Sequence, residues 1–80
     1  MSSTIPTPIL IFKRYAAPNK DGTFGARLEL RRDYGYKVDK LSDVEDDKDF
    51  PTEKEALEYG TALAEATRQS RFPGEKYKVE

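Results

Sequence analysis

The sequence predicts an α+β domain: a three-stranded antiparallel meander packed on one C-terminal helix, in the order β-β-β-α, with an optional short edge strand after the helix. Three observations predict it. Residues 23–32 (TFGARLELRR) alternate apolar and polar side chains with period two, the pattern of a strand with one buried and one wet face. Residues 52–69 repeat small and apolar side chains at helical spacing behind a capping sequence. Pro18, Asn19, Lys20, Asp21 and Gly22 form a turn-making cluster between two strand-like runs.

Taken in order, residues 1–8 (MSSTIPTP) hold two prolines and several hydroxyl residues, which argues for an extended or flexible arm. Residues 9–15 (ILIFKRY) are β-branched and aromatic and read as the first strand. Ile9, Ile11, Lys13 and Tyr15 share one face of it, and Leu10, Phe12 and Arg14 the other. Its wholly apolar start implies cover on both faces or an edge that self-associates. The Pro18–Gly22 cluster then predicts a hairpin loop of about four or five residues. In the second strand Phe24, Ala26, Leu28 and Leu30 face inward, and Gly25, Arg27, Glu29 and Arg31 face water. Asp33 begins a reversal. Residues 34–41 (YGYKVDKL) are the expected third strand, with Tyr34, Tyr36 and Val38 in one phase, so that both tyrosines are expected at the rim of the core. Residues 42–49 (SDVEDDKD) are then an acidic loop with five carboxylates.

The helix is expected over residues 52–69. Pro51 disfavours an earlier start, and the Thr52 hydroxyl and Glu55 carboxylate are spaced for a reciprocal cap. Glu53 and Glu55 stand in the first turn and Arg68 in the last, as the helix dipole favours. Ala56, Leu57, Gly60, Leu63, Ala64 and Thr67 make one stripe, whose small members would let the helix lie close to a sheet. Phe72, Pro73 and Gly74 stop it. Residues 76–79 are a short edge strand or a tail. The resulting organisation is an arm (1–8), one domain (9–69) and a C-terminal tail or edge strand (70–80).

Phe50, Pro51, Thr52, Glu55, Ala56, Leu57 and Gly60 together spell F-P-T-x-x-E-A-L-x-x-G. This opening resembles that of a group of small bacterial proteins with three strands followed by a helix, folds similar to the sheet-plus-helix part of a double-stranded-RNA-binding domain. The motif spans 11 of the 80 residues, and the strand order extends the likeness over about 30 more. The resemblance implies the fold and brings no catalytic residue. It invites RNA binding, yet Pro6 and Pro8 stand where such a domain has its first helix. Thr52-Glu53-Lys54-Glu55 replaces the lysine-rich helix start that grips phosphates.

Composition narrows the chemistry. The 80 residues contain no His and no Cys. No Ser-His-Asp or Cys-His site, zinc finger or iron–sulfur centre can be assembled from them. No cofactor and no metal are expected. A calcium loop matches only at its start: Asp43, Glu45 and Asp47 have the 1-3-5 spacing, but Lys48 and Lys54 occupy the places of the required Gly and Glu. Without a cleft or a glycine-rich phosphate loop in view, the chain is expected not to be an enzyme. No apolar run approaches the roughly 20 residues of a membrane span, and no basic segment precedes residues 5–12. A cytoplasmic protein with no membrane partner is therefore expected.

Charge is uneven. Residues 1–37 carry net +4, residues 38–58 net −6 and residues 59–80 net +1. Two candidate surfaces follow. One is a basic sheet face of Arg27, Arg31 and Lys37, able in principle to hold phosphates, although Glu29 lies between the arginines. The other is the acidic loop of Asp43, Glu45, Asp46, Asp47 and Asp49. The leading expectation is a small non-enzymatic binding or adaptor protein that acts through protein–protein contacts. A small domain with thin core and apolar strand edges gains stability from partners, a second copy of itself included. The alternative is a nucleic-acid-binding module using the basic sheet face. The third is a phage-type inhibitor of a host nucleoprotein, in which the carboxylates mimic a phosphate backbone.

Overall fold

A computed structural model describes residues 8–80; the expected arm, apart from Pro8, lies outside the described residues. Five elements follow one another: β1 (Ile9–Pro18), β2 (Phe24–Asp33), β3 (Val38–Phe50), α1 (Glu53–Arg71) and β4 (Tyr77–Val79). They form one four-stranded sheet in the order β3-β2-β1-β4 with the helix laid on one face. β1 and β2 are antiparallel, as are β2 and β3, and β4 joins β1 in parallel. The α+β meander-plus-helix architecture is the one the sequence predicts.

The β1–β2 hairpin closes through residues 19–23. Asn19 N donates to Thr23 O (2.8 Å) and Gly22 N to Asn19 O (3.2 Å). Gly22 adopts φ 88°, a left-handed conformation that glycine reaches without steric cost. Asp21 accepts from the Thr23 amide (3.0 Å) and hydroxyl (2.6 Å). Those two bonds stabilise its anion and lower its pKa below the usual carboxylate value.

The second connection departs from expectation. Residues 34–37 form the turn rather than the start of a strand: Tyr34 N donates to Lys37 O (2.9 Å), Asp33 Oδ1 caps the Gly35 amide (2.8 Å), and Gly35 takes φ 89°. The third strand therefore begins at Val38 and runs on to Phe50, so the acidic segment 42–49 is strand and not loop. Its composition disfavours β structure, and Val44 is its one apolar side chain. Ser42, Val44 and Asp46 lie toward the helix, while Asp43 and Glu45 lie opposite Glu29 and Arg27 on the other face. Two register shifts, between Gly25 and Arg27 and between Leu30 and Arg31 on the β2 side, absorb the extra residues of β3.

The core lies between the helix and the two central strands. Leu10 and Phe12 of β1 and Leu28 and Leu30 of β2 are at most 1% exposed and meet Ala64 of α1. Burying each of these four large side chains contributes about 1.5–3 kcal/mol. Val44, Leu63, Phe72, Tyr77 and Val79 close the rim. Ala56, Gly60, Ala64 and Thr67 are the buried stripe of α1, whereas Leu57 and Leu63 of the expected stripe are half-buried. At the start of α1 the Glu55 amide donates to Thr52 Oγ1 (3.2 Å). The helix runs through Arg71, two residues beyond the expected end, and the Phe72 amide closes it on Arg68 O (2.8 Å).

The C-terminal segment is an integral strand. Leu10 N donates to Lys76 O, Glu80 N to Phe12 O and Arg14 N to Glu80 O. Arg14 also extends under the helix: its guanidinium donates to Leu57 O (3.2 Å) and Thr61 Oγ1 (2.8 Å). Arg32 forms a forked pair with Glu75 (3.0 and 3.2 Å) and lies 5.7 Å from the Phe72 ring, while Arg68 lies 4.8 Å from that of Tyr77.

Gly60 faces the stem of Arg14 and not the sheet backbone. A Cβ there would stand 3.4 Å from Arg14 Cγ, an ordinary contact with a flexible side chain. Gly60→Ala is therefore expected to stabilise the fold by about 0.5–1 kcal/mol through helix propensity. Gly60→Leu is expected to destabilise it by about 1–3 kcal/mol through overpacking. Chemical denaturation of both variants checks the pair.

Candidate interaction edge of the sheet

The face of the sheet away from α1 shows where the candidate basic residues stand. Across it, Arg27 is opposite Tyr15 and Glu45, Glu29 is opposite Lys13 and Asp43, and Arg31 is opposite Ile11 and Lys40. Arg27 pairs with Glu45 at 2.7 Å, and Arg31 pairs with Glu29 two residues earlier on its own strand. Lys40 reaches Asp43 at 3.2 Å and Lys78 reaches Glu80 at 3.1 Å. The face thus carries both signs: Arg27 and Glu45 pair across strands, while the like-charged neighbours Glu29–Asp43 and Arg31–Lys40 are offset by the ion pairs that run along each strand. Lys37, expected beside the arginines, is in the β2–β3 turn instead. There it contacts Asp39 at 3.5 Å and lies 5.3 and 5.9 Å from the rings of Tyr34 and Tyr36. The structure does not unite Arg27, Arg31 and Lys37 in one basic patch.

The acidic residues are brought into one element, on the outermost strand. Four of the five have partners inside the molecule: Asp43 and Glu45 through the ion pairs above, Asp49 by accepting from Asn19 Nδ2 (2.9 Å), and Asp46 on both oxygens. Asp46 Oδ1 accepts from the Lys48 amide (2.9 Å) and Oδ2 from the Tyr59 hydroxyl (3.0 Å). The second bond holds the proton on the phenol, so Tyr59 is pushed above the ordinary tyrosine range. Lys48 lies 5.7 Å from the Phe50 ring and 5.4 Å from that of Tyr59, and the two rings are 5.0 Å apart. This cluster fastens the far end of β3 to the helix. Asp47 has neither a hydrogen bond nor an ion pair among the described side chains.

Beyond the charges, β3 has two features that a partner could use. Among the described residues no strand pairs with its outer side, so its 13 residues form an open edge. Exposed apolar side chains also gather where it begins. Ile9, Asp33 and Val38 share one row of the sheet; Ile9 is 38% and Val38 50% exposed, Tyr36 in the adjoining turn is 80% exposed, and Leu41 at the first bulge is 38% exposed. Tyr36 does not stand at the rim of the core as its spacing predicts, because the turn takes residues 34–37 out of the strand. Only Tyr15 is a large exposed apolar residue away from this corner among the described residues. No cleft or cavity opens among the described residues, and none of their Asp or Glu side chains gather in a group that could hold a metal ion. No helix among them is long and apolar enough to cross a membrane.

Comparison with protein-family models, with curated proteins and with solved structures found no match to this chain.

The Tyr59–Asp46 bond has a readable consequence. A phenol whose folded pKa is raised contributes stability that is complete below the unfolded pKa and is lost as pH rises through the folded one. Asp46→Asn removes the carboxylate, and Tyr59 is then expected to titrate at lower pH than in the parent chain. Ring-proton NMR of Tyr59 between neutral pH and the alkaline range measures the shift; an unchanged titration would show that the bond does not form.

Proposed function

We propose that this chain is a small non-enzymatic binding protein that acts through protein–protein contacts, made at the outer edge of β3 and the apolar corner beside it. One observation carries the reading: a long open strand edge begins at the corner where Ile9, Tyr36, Val38 and Leu41 are exposed. Exposed apolar groups gathered in one patch mark contact surfaces, as singly scattered ones do not. Tyrosine is among the residues that most often dominate the binding energy of an interface, and an open edge accepts a partner's backbone.

The competing nucleic-acid reading loses support from the ion pairs. The sheet face carries no excess of positive charge, because Arg27 and Arg31 each neutralise a carboxylate. Phosphate binding would have to compete with those pairs. Mimicry of a phosphate backbone is weakened in turn, since Asp46 and Asp49 accept hydrogen bonds within the fold and leave only part of the acidic row to face a partner.

The test is affinity capture from the native host, with and without nuclease, by the parent chain and by Tyr36→Ala/Val38→Asp. The expected result is a protein partner retained after nuclease, with capture by the variant weakened about tenfold or more, the loss of one or two central contacts. Arg27→Glu/Arg31→Glu is expected to leave that capture in place if it remains folded. Disappearance of every partner with nuclease, or in the arginine variant alone, would favour nucleic acid instead.

A further inference from the structure

We infer that the occupant of the β3 edge is an extended partner segment alternating basic and apolar side chains, which joins the sheet as a fifth strand. The inference rests on the reading that this edge is a contact surface, and adds the chemistry of what it takes.

The geometry narrows the contact to a short stretch. Between its two register shifts β3 is regular only over residues 42–45, opposite Arg27, Leu28, Glu29 and Leu30. There the strand has two distinct sides. Ser42 and Val44 lie toward the helix, and Val44 packs on the rim of the core. Asp43 and Glu45 lie on the opposite face, with side chains 48% and 66% exposed. Neighbouring strands meet through side chains on the same face. A strand added here therefore sets one row of its side chains beside Val44, where apolar groups extend the core. It sets the other beside Asp43 and Glu45, where cations are favoured.

The existing partners of these carboxylates do not prevent this. Lys40 and Arg27 pair with them in half-exposed positions, and such surface pairs are weak enough to be shared with an incoming cation. Over its whole length β3 carries six acidic and two basic residues, so its field also attracts a basic segment from a distance.

The same charges disfavour the simplest other occupant, the β3 edge of a second copy. Antiparallel pairing centred on Val44 would align the full strand with itself. It would set Asp43 against Glu45, Lys40 against Lys48 and Asp39 against Asp49 of the other copy. Every one of those pairs is of like charge, which destabilises cross-strand contact.

The test is NMR titration of the full chain with a synthetic peptide that alternates Lys or Arg with Val or Ile. Two control peptides accompany it: one with every basic residue replaced by Glu, and one N-methylated on alternate residues. Shifts concentrated in the amides of residues 38–50, slower exchange of outward amides, affinity about tenfold weaker for the acidic peptide and loss of binding on N-methylation are expected. Asp43→Lys/Glu45→Lys should reverse the peptide preference. Asp43→Asn/Glu45→Gln, a milder change, should reduce it. Equal binding of the N-methylated peptide, or shifts confined to the sheet face, would overturn strand addition, as would no binding at all. Failure of the peptides while host capture still depends on Tyr36 and Val38 would end this inference alone; loss of that dependence would end the broader reading.

Discussion

Everything in this fold depends on how closely one helix can lie on two strands. The stripe of α1 that meets the sheet is Ala56, Gly60, Ala64 and Thr67, so the large side chains must come from the sheet. Leu10, Phe12, Leu28 and Leu30 supply them. A chain with few apolar residues thereby concentrates its burial on β1 and β2, the two inner strands. β3 and β4 contribute only rim contacts through Val44, Tyr77 and Val79. The division of labour leaves β3 free to carry charge, because little of the core rests on it.

Electrostatics follow from that arrangement. An acidic strand beside a strand with two outward arginines is a stable neighbour, as the Arg27–Glu45 pair shows. Where β3 passes beyond the arginines, its end is held by different means: Asp46 bonds Tyr59, and Lys48 covers the Phe50–Tyr59 pair. Each interaction is small at a surface, but together they fix a strand whose composition argues against one. The same pairing removes the basic patch that charge counting along the chain suggests.

The sequence made some of this legible and hid the rest for identifiable reasons. β2 was readable because alternation of Phe24, Ala26, Leu28 and Leu30 with polar residues has no other simple meaning. The helix was readable from Thr52 and the small-residue stripe, although the partner of Gly60 is the Arg14 stem and not a backbone. β3 was not readable, because Val44 is the only apolar residue between Leu41 and Phe50 and its carboxylates look like a solvated loop. The shift of β3 then displaced the sites: Tyr34, Tyr36 and Lys37 moved from strand to turn, and Asp43 and Glu45 from loop to sheet. Linear order shows that charges are near one another in the chain, but only the register shows that Arg27 meets Glu45.

The parallel pairing of β4 with β1 has a consequence for the order of assembly. β1, β2 and β3 are joined by short turns and can zip together from neighbouring residues. The remaining side of β1 is completed by residues far away in the chain; Arg14, for example, bonds Glu80 across 66 positions. Closing so long a loop is slow relative to forming a hairpin. During synthesis the apolar flank of β1 therefore waits, with its backbone unpaired, until α1 has emerged and β4 has been made. That interval, rather than the finished protein, is when Ile9, Leu10 and Ile11 are most open to pairing with the wrong chain.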